Sequence, residues 1–499
     1  MSSTAAATTT VIQQRIGSSI SLWEKGLVTT AYAVYLCFII PFHEPWADEA
    51  QAWQLARSVP IVDLFRTHLR YEGTPGLWHF ILAILTRMHV PYTGLNWFAG
   101  AVAFTGVAFL IFCSPFPRYV RFALPFTFFL AFQYAVVARS YVLVPTLLFA
   151  TAMMWRRSPI LVAVGLGLLG NVSLHALAIS GGFALTYLVE NKQRWSKQSA
   201  PRYLEGAGIL LAFYLLAILT VLPRPADLNF SPWPSSLRFS STGIRMIILT
   251  LRGLSPFTGL VGRGAMLLLA FPCWIYLVVR FLRAGLWAYG LPVLMFALFS
   301  FYYCNFWHMG LLVPTLIAIC WITWPQVTAM GIGAEVPVLC VIALQIGWTF
   351  HAVHFDVLHD YSPDAAAARY LAPRLASGDE AAVTYLRHPE VNAFHSVGLA
   401  PYFDRQIFLN QPRPFWLWSK NEHTDAQFLT AFQRHPAIVV AVYYRSKSFD
   451  PPLNLDGDRA VFLKASGYRL MHTFCAEKPE DFREREEICY LIFERKAVP

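Results

Sequence analysis

The stretch HEPWADEAQAW places two carboxylates side by side, Asp48 and Glu49, and the same polar segment ends in HLRYEGTPGLWHFIL, with His68, Arg70, Tyr71 and Glu72 ahead of a Gly-Thr-Pro-Gly turn. A carboxylate can take the proton of an attacking hydroxyl, while a nearby arginine carries the charge of a departing phosphate. Residues of these types can therefore move a proton and hold an anion. The plainer reading of Asp48 and Glu49 is that acids favour the start of a helix, through capping and the helix dipole.

To position these groups, a helix has to open at or near Ala47, with Trp46, Ala50 and Trp53 on one face turned to lipid or protein. A second helix has to start after the glycine-proline turn. Both ends of the segment then meet at one surface. Acid counting isolates this region: ten of the 29 Asp and Glu lie in residues 1 to 351, and five of those ten (Glu44, Asp48, Glu49, Asp63, Glu72) fall between 44 and 72.

The remaining composition sets the surroundings. The chain has 499 residues, 56% hydrophobic and 14% charged, against about a quarter charged in globular proteins, which excludes an ordinary soluble protein. The net charge of +10 sits mostly in short loops between apolar runs, where it orients helices in a membrane rather than binding nucleic acid. The expected fold is a polytopic α-helical membrane protein of 11 to 13 spans with a C-terminal extracytoplasmic α/β domain. The eleven spans read near 27–42, 75–90, 94–113, 119–137, 139–155, 159–189, 206–222, 261–281, 284–303, 308–325 and 330–351. Residues 1–26 form a cytoplasmic N-terminus, 27–351 a transmembrane catalytic domain with outer loops 43–75 and 223–260, and 352–499 a periplasmic soluble domain. In loop 223–260, Arg245 and Arg252 argue for an interfacial or re-entrant helix. In the tail, AAVTYL, AIVVAVYY and ICYLIFER are β-type runs among helical stretches.

The acid pair directly after the first helix, the proline-containing turn at Gly73 to Gly76 and the ARSYVLV segment at 138 to 144 resemble the GT-C superfamily of membrane glycosyltransferases, which includes protein O-mannosyltransferases and lipid A aminoarabinose transferases. The double proline of many members is missing, and no acid follows Arg139 until Glu190. The resemblance implies a polyprenyl-phosphate sugar donor, surrounding membrane lipids, and a glycan, lipid or protein acceptor at the outer surface of the bacterial inner membrane. Asp48 is then the base, and Glu49 positions the acceptor or helps bind a metal. His68, Arg70, Tyr71, Glu72, Arg139, Arg245 and Arg252 are the expected substrate contacts, although Arg70, Arg245 and Arg252 equally suit interfacial snorkelling. Asn305, Trp307 and His308, in FYYCNFWHMG, cover the sugar by stacking and hydrogen bonding, unless they form a membrane belt.

No cofactor is certain from the sequence, and a divalent ion stays open. His351, His354, Asp356, His359 and Asp360 are either a metal site or a solvated helix exit. A transporter or flippase of lipid-linked material is the competing function, but the chain has no internal repeat and its acids avoid the spans. A noncatalytic envelope scaffold is a third reading.

Of eight cysteines, Cys475 and Cys489 alone lie in polar sequence. An oxidising compartment allows them to pair, across a hairpin formed by LMHTFCAE and ICYLIFER. An odd span count with a cytoplasmic N-terminus puts this tail outside the cell membrane. A reporter that is active only when exported, fused after Val498, is expected to be active; cytoplasmic activity would require an even span count.

Overall fold

The computed structural model describes residues 20–192, 200–229, 275, 278–301, 304, 306–328, 335–376, 380–386, 394–420, 425–446, 458–479 and 485–496. The chain is mostly helical. Helix α1 (Leu22–Ile39) starts at a capping box, in which Ser21 Oγ accepts from the Glu24 amide and Glu24 Oε2 accepts from the Ser21 amide. A short turn at Pro41 ends it. Then come α2 (Ala47–Ser58), α3 (Leu77–Arg87), α4 (Gly94–Cys113), α5 (Leu143–Met154), α6 (Pro159–Gly170), α7 (Leu174–Asn191), α8 (Ala200–Val221), α9 (Leu291–Ser300), α10 (Leu312–Thr328) and α11 (Glu335–Leu358).

Among the described residues, five segments are long and apolar enough to cross a membrane: Leu22–Phe42, Gly94–Cys113, Ala200–Val221, Trp307–Trp324 and Val341–Leu358. The shorter apolar helices are Leu77–Arg87, Ser140–Met154, Pro159–Gly170 and Trp287–Ser300. The expectation of eleven continuous spans is corrected at several places. The run 159–189 divides into α6 and α7 at Asn171–Ser173, where Ser173 Oγ accepts from the Ala176 amide and starts a new helix. The helix that carries position 351, α11, runs on to Leu358. Most of 261–281, and loop 223–260 beyond Asn229, lie outside the described residues. Close helix contact is set at Gly182 of α7, where a Cβ would stand 2.4 Å from Pro292 Cα of α9.

The largest departure is at 119–137. Proline 125 breaks this run into a helix of six residues (Arg118–Ala123), a 3-10 turn and a π-turn (Phe129–Gln133), and the chain then continues without regular structure to Arg139. Residues 126 to 138 are largely buried, so the backbone groups that the local turns leave open need partners from elsewhere. Side chains supply several of them. Tyr32 Oη donates to the Leu130 carbonyl at 2.7 Å, Tyr35 Oη to Ala131 at 3.2 Å, Thr349 Oγ1 to Phe126 at 2.8 Å and Asn96 Nδ2 to Val136 at 3.0 Å. The Ala138 amide donates to Glu49 Oε1 at 2.7 Å.

After α11 come α12 (Asp364–Arg374), β1 (Ala381–Tyr385), α13 (Asp425–Phe432), β2 (Ile438–Ser446), α14 (Asp458–Ala465), β3 (Tyr468–Pro479) and β4 (Arg485–Arg495). The strands form one sheet in the order β1-β2-β4-β3, with β1 parallel to β2 and the other pairs antiparallel. Alternation along the strands sorts side chains to two faces. Val383, Val440, Val442 and Ile492 pack with Ala367 and Leu371 of α12, while Val439, Ala441, Leu491 and Phe493 pack with Phe428 of α13 and Leu463 of α14.

Cys475 and Cys489 face each other in the β3–β4 register and form a disulfide, with Cα atoms 4.1 Å apart. A closed loop of this length contributes about 3 kcal/mol in the chain-entropy model. In unreduced, denatured protein neither thiol is expected to react with an alkylating reagent, and both are expected to react after reduction. Full alkylation without reductant would contradict the pairing.

Candidate active site

The geometry grows from α2. Its first turn presents two acids about 100° apart around the helix, one buried and one partly exposed. Glu49 points inward and is fully buried. Its Oε2 accepts from the Trp46 amide at 3.1 Å, and its Oε1 accepts from the Ala138 amide and, at 3.4 Å, from Asn96 Nδ2. His43 Nε2 lies 3.7 Å from Oε2, and the other ring nitrogen of His43 meets Asp356 of α11 at 2.9 Å. Burial alone would push His43 down, but Asp356 and Glu49 outweigh it and raise the imidazole to about 10. Glu49 is therefore a structural anchor. The carboxylate expected to position an acceptor or help bind a metal is here enclosed by protein partners.

Asp48 is the partly exposed acid. Its Oδ2 lies 2.8 Å from Arg139 Nη1, and both side chains are 22% exposed. The guanidinium sits near three rings, with its carbon 5.1 Å from the centre of Trp307, 5.5 Å from Tyr141 and 5.8 Å from Trp46. Cation–π attraction holds it there. Behind the rings, Tyr141 Oη and His308 Nε2 are 2.6 Å apart, and His308 stacks on His175 with ring centres 3.9 Å apart. Trp307 is fixed in turn, since Tyr134 Oη donates to its carbonyl at 2.5 Å.

Glu72 completes the group from the far end of the segment, just before Gly73, whose φ of 62° permits the sharp turn into α3. It is half-buried, and Gln51 Nε2 donates to its Oε1 at 2.8 Å. Burial pushes the Glu72 carboxyl up to about 7 against the lowering effect of that hydrogen bond; Asp48 raises it further and Arg139 opposes. The two carboxylates are thus close enough for the charge of one to act on the other.

The other expected site residues divide. His68 packs its ring on Phe415 with centres 5.5 Å apart, and its Nδ1 lies 3.2 Å from the Asp63 carbonyl. Arg70 is half-buried, and its Nε has no hydrogen-bond partner among the described residues. Tyr71 donates to Asp227 Oδ1 at 2.9 Å. Arg245, Arg252 and Asn305 lie outside the described residues. In the helix exit, Asp356 turns inward to His43 whereas His354, His359 and Asp360 are exposed. Among the described residues no group of three or more His, Cys, Asp or Glu is placed to hold a metal ion.

Sequence reasoning did not assign roles to Gln51, Tyr141, Asn96 or His43. Gln51 was findable, being three residues from Asp48 on one helix and so on the same side of it. Tyr141 lies two residues from Arg139. No local signal marks Asn96. No family model, curated protein or solved structure matches this chain.

The unlike burial of the two acids separates their mutational effects. Glu49→Ala strips acceptors from buried donors and leaves His43 and Asp356 imbalanced, at a cost of about 3–5 kcal/mol. Asp48→Ala removes one half-exposed ion pair and costs about 1 kcal/mol or less. Thermal unfolding of the detergent-solubilised protein should fall steeply for the first variant and little for the second; equal effects would refute the division.

Proposed function

We propose that this chain is a membrane glycosyltransferase that moves a sugar from a polyprenyl-phosphate donor to a hydroxyl acceptor at the extracytoplasmic surface. The observation that carries the reading is the Asp48–Arg139 ion pair, assembled at 2.8 Å from two segments about ninety residues apart and left partly open within an aromatic surround. Asp48 and Arg139 both belong to the segments that resemble the GT-C superfamily. The five long apolar helices support membrane insertion, with lipid around them. The C-terminal domain lies in the periplasm on this reading, where the Cys475–Cys489 bond is stable.

Arg139 is the phosphate-binding group. A guanidinium binds phosphate by two parallel hydrogen bonds, so the incoming donor draws Arg139 away from Asp48 and leaves that carboxylate facing the acceptor. Asp48 takes the proton of the acceptor hydroxyl as its oxygen bonds to the anomeric carbon. The bond from that carbon to the phosphate oxygen breaks, and the phosphate leaves with the electron pair, its charge held by Arg139. Trp46, Tyr141 and Trp307 keep Arg139 over the reacting centre and offer flat faces to the sugar. Glu72 serves as a proton carrier to solvent once Asp48 is protonated.

Asp48→Asn keeps the shape of the side chain and removes the base, so transfer is expected to fall about two to four orders of magnitude while folding is retained. The assay is sugar transfer in membranes supplied with polyprenyl-phosphate donors. Near-normal turnover by folded Asp48→Asn protein would sink the assignment and favour transport or a scaffold role.

A further inference from the structure

Residues 416–420 of the C-terminal domain reach back to the site along two separate routes. In the first, Trp416 and Gln51 exchange hydrogen bonds: the Trp416 amide donates to Gln51 Oε1 at 2.8 Å, and Gln51 Nε2 donates to the Trp416 carbonyl at 2.7 Å. The same Nε2 donates to Glu72 at 2.8 Å. Gln51 is 3% exposed, so water does not compete for these bonds. In the second, Ser419 Oγ donates to Asp227 Oδ2 at 2.5 Å and the Lys420 amide to the Asp227 carbonyl at 2.7 Å, while Asp227 Oδ1 accepts from Tyr71. The Asn229 amide adds a bond to the Trp418 carbonyl at 2.9 Å. Consecutive residues, Tyr71 and Glu72, are thus each tied through one intermediary to the same strip of the C-terminal domain. Phe415 seats the strip by packing with Leu55, Val59, Leu64 and Leu69.

We propose that segment 416–420 is a latch and that Gln51 is the positioning residue through which it orients the Glu72 carboxylate beside the Asp48–Arg139 pair. Docking of the C-terminal domain and completion of the site are then one event. The chemical reason lies in the amide of Gln51. Its oxygen and one face of its nitrogen are satisfied by a single backbone unit, which fixes the plane of the amide and leaves an N–H aimed at Glu72. A side chain of Gln51 freed from Trp416 has no such fixed direction. The charged groups facing Glu72 are Asp48 of α2 and Arg139 of the irregular segment, and neither touches the latch in the contacts described above. The proposal rests on the transferase reading for its kinetic meaning, but its test needs no substrate.

The test is infrared difference spectroscopy of the full-length protein in detergent, titrated with acid and base. The carboxyl band that disappears in Glu72→Gln reports Glu72. It is expected to titrate near 7 in the wild-type protein, and Gln51→Leu, which removes a donor to the ionised form, should move the midpoint upward by about one pH unit. Ser419→Ala opens the second route without touching Gln51 or Glu72, and should move the same band upward by a smaller amount; it carries the test alone if Gln51→Leu does not fold. A Glu72 midpoint unmoved by Ser419→Ala, or by folded Gln51→Leu, would overturn the latch. Retained turnover in Asp48→Asn would overturn the transferase reading while leaving these infrared shifts in place, so the two failures are distinguishable.

Discussion

A buried carboxylate accepting the amide of a non-helical residue is the interaction on which the rest of this structure depends. Irregular backbone inside an apolar body has no water to bond with, so each of its polar groups must be met by protein. Glu49 meets the Ala138 amide at the point where the chain emerges toward the site. Since Asp48 precedes Glu49 on the first turn of a helix, anchoring one acid fixes the other. Arg139 follows Ala138 and is delivered to Asp48 by the same bond. The Asp48–Arg139 pair is in this sense a by-product of a solvation requirement one residue away on each segment.

The charge of Glu49 has to be held in turn. His43, raised to about 10 between Asp356 and Glu49, carries a positive charge into the buried group. That group joins the end of the first long helix, the start of α2 and the last turn of α11. The C-terminal domain follows α11 directly, so its placement is set at the base by His43–Asp356 and at the tip by Gln51 and Asp227. Two attachments separated in this way resist rotation as well as separation, and that is what lets a distant domain define the geometry of a carboxylate.

Much of the helical architecture was legible from hydropathy, since runs such as 94–113 are long, apolar and bounded by polar turns. The start of α2 at Ala47 and the β-type runs of the tail followed from capping and from alternation. What hydropathy could not register was 119–137, whose residues are as apolar as those of a span. Its irregular course depends on Pro125 and on partners at Tyr32, Tyr35, Asn96 and Thr349, scattered over more than three hundred positions. For the site, carboxylates were found because acids are rare in this composition. The partition of Asp48 from Glu49 was not, because two neighbouring acids look alike until the helix direction assigns one inward. Gln51 was overlooked since a neutral amide attracts no notice beside charged groups.

The irregular segment also bears on how this sequence can change over time. Residues at 32, 35, 49, 96 and 349 each donate to or accept from one short stretch of main chain. Main-chain groups are the same whatever residue stands in the stretch, so these five positions are constrained by the path of the backbone and not by the identity of residues 126 to 138. Drift is permitted at those positions of the stretch whose side chains make no contact of their own, whereas replacement of any one of the five supporting side chains demands a compensating change elsewhere. Related chains should covary, as a correlated set, at the scattered sites that support the segment.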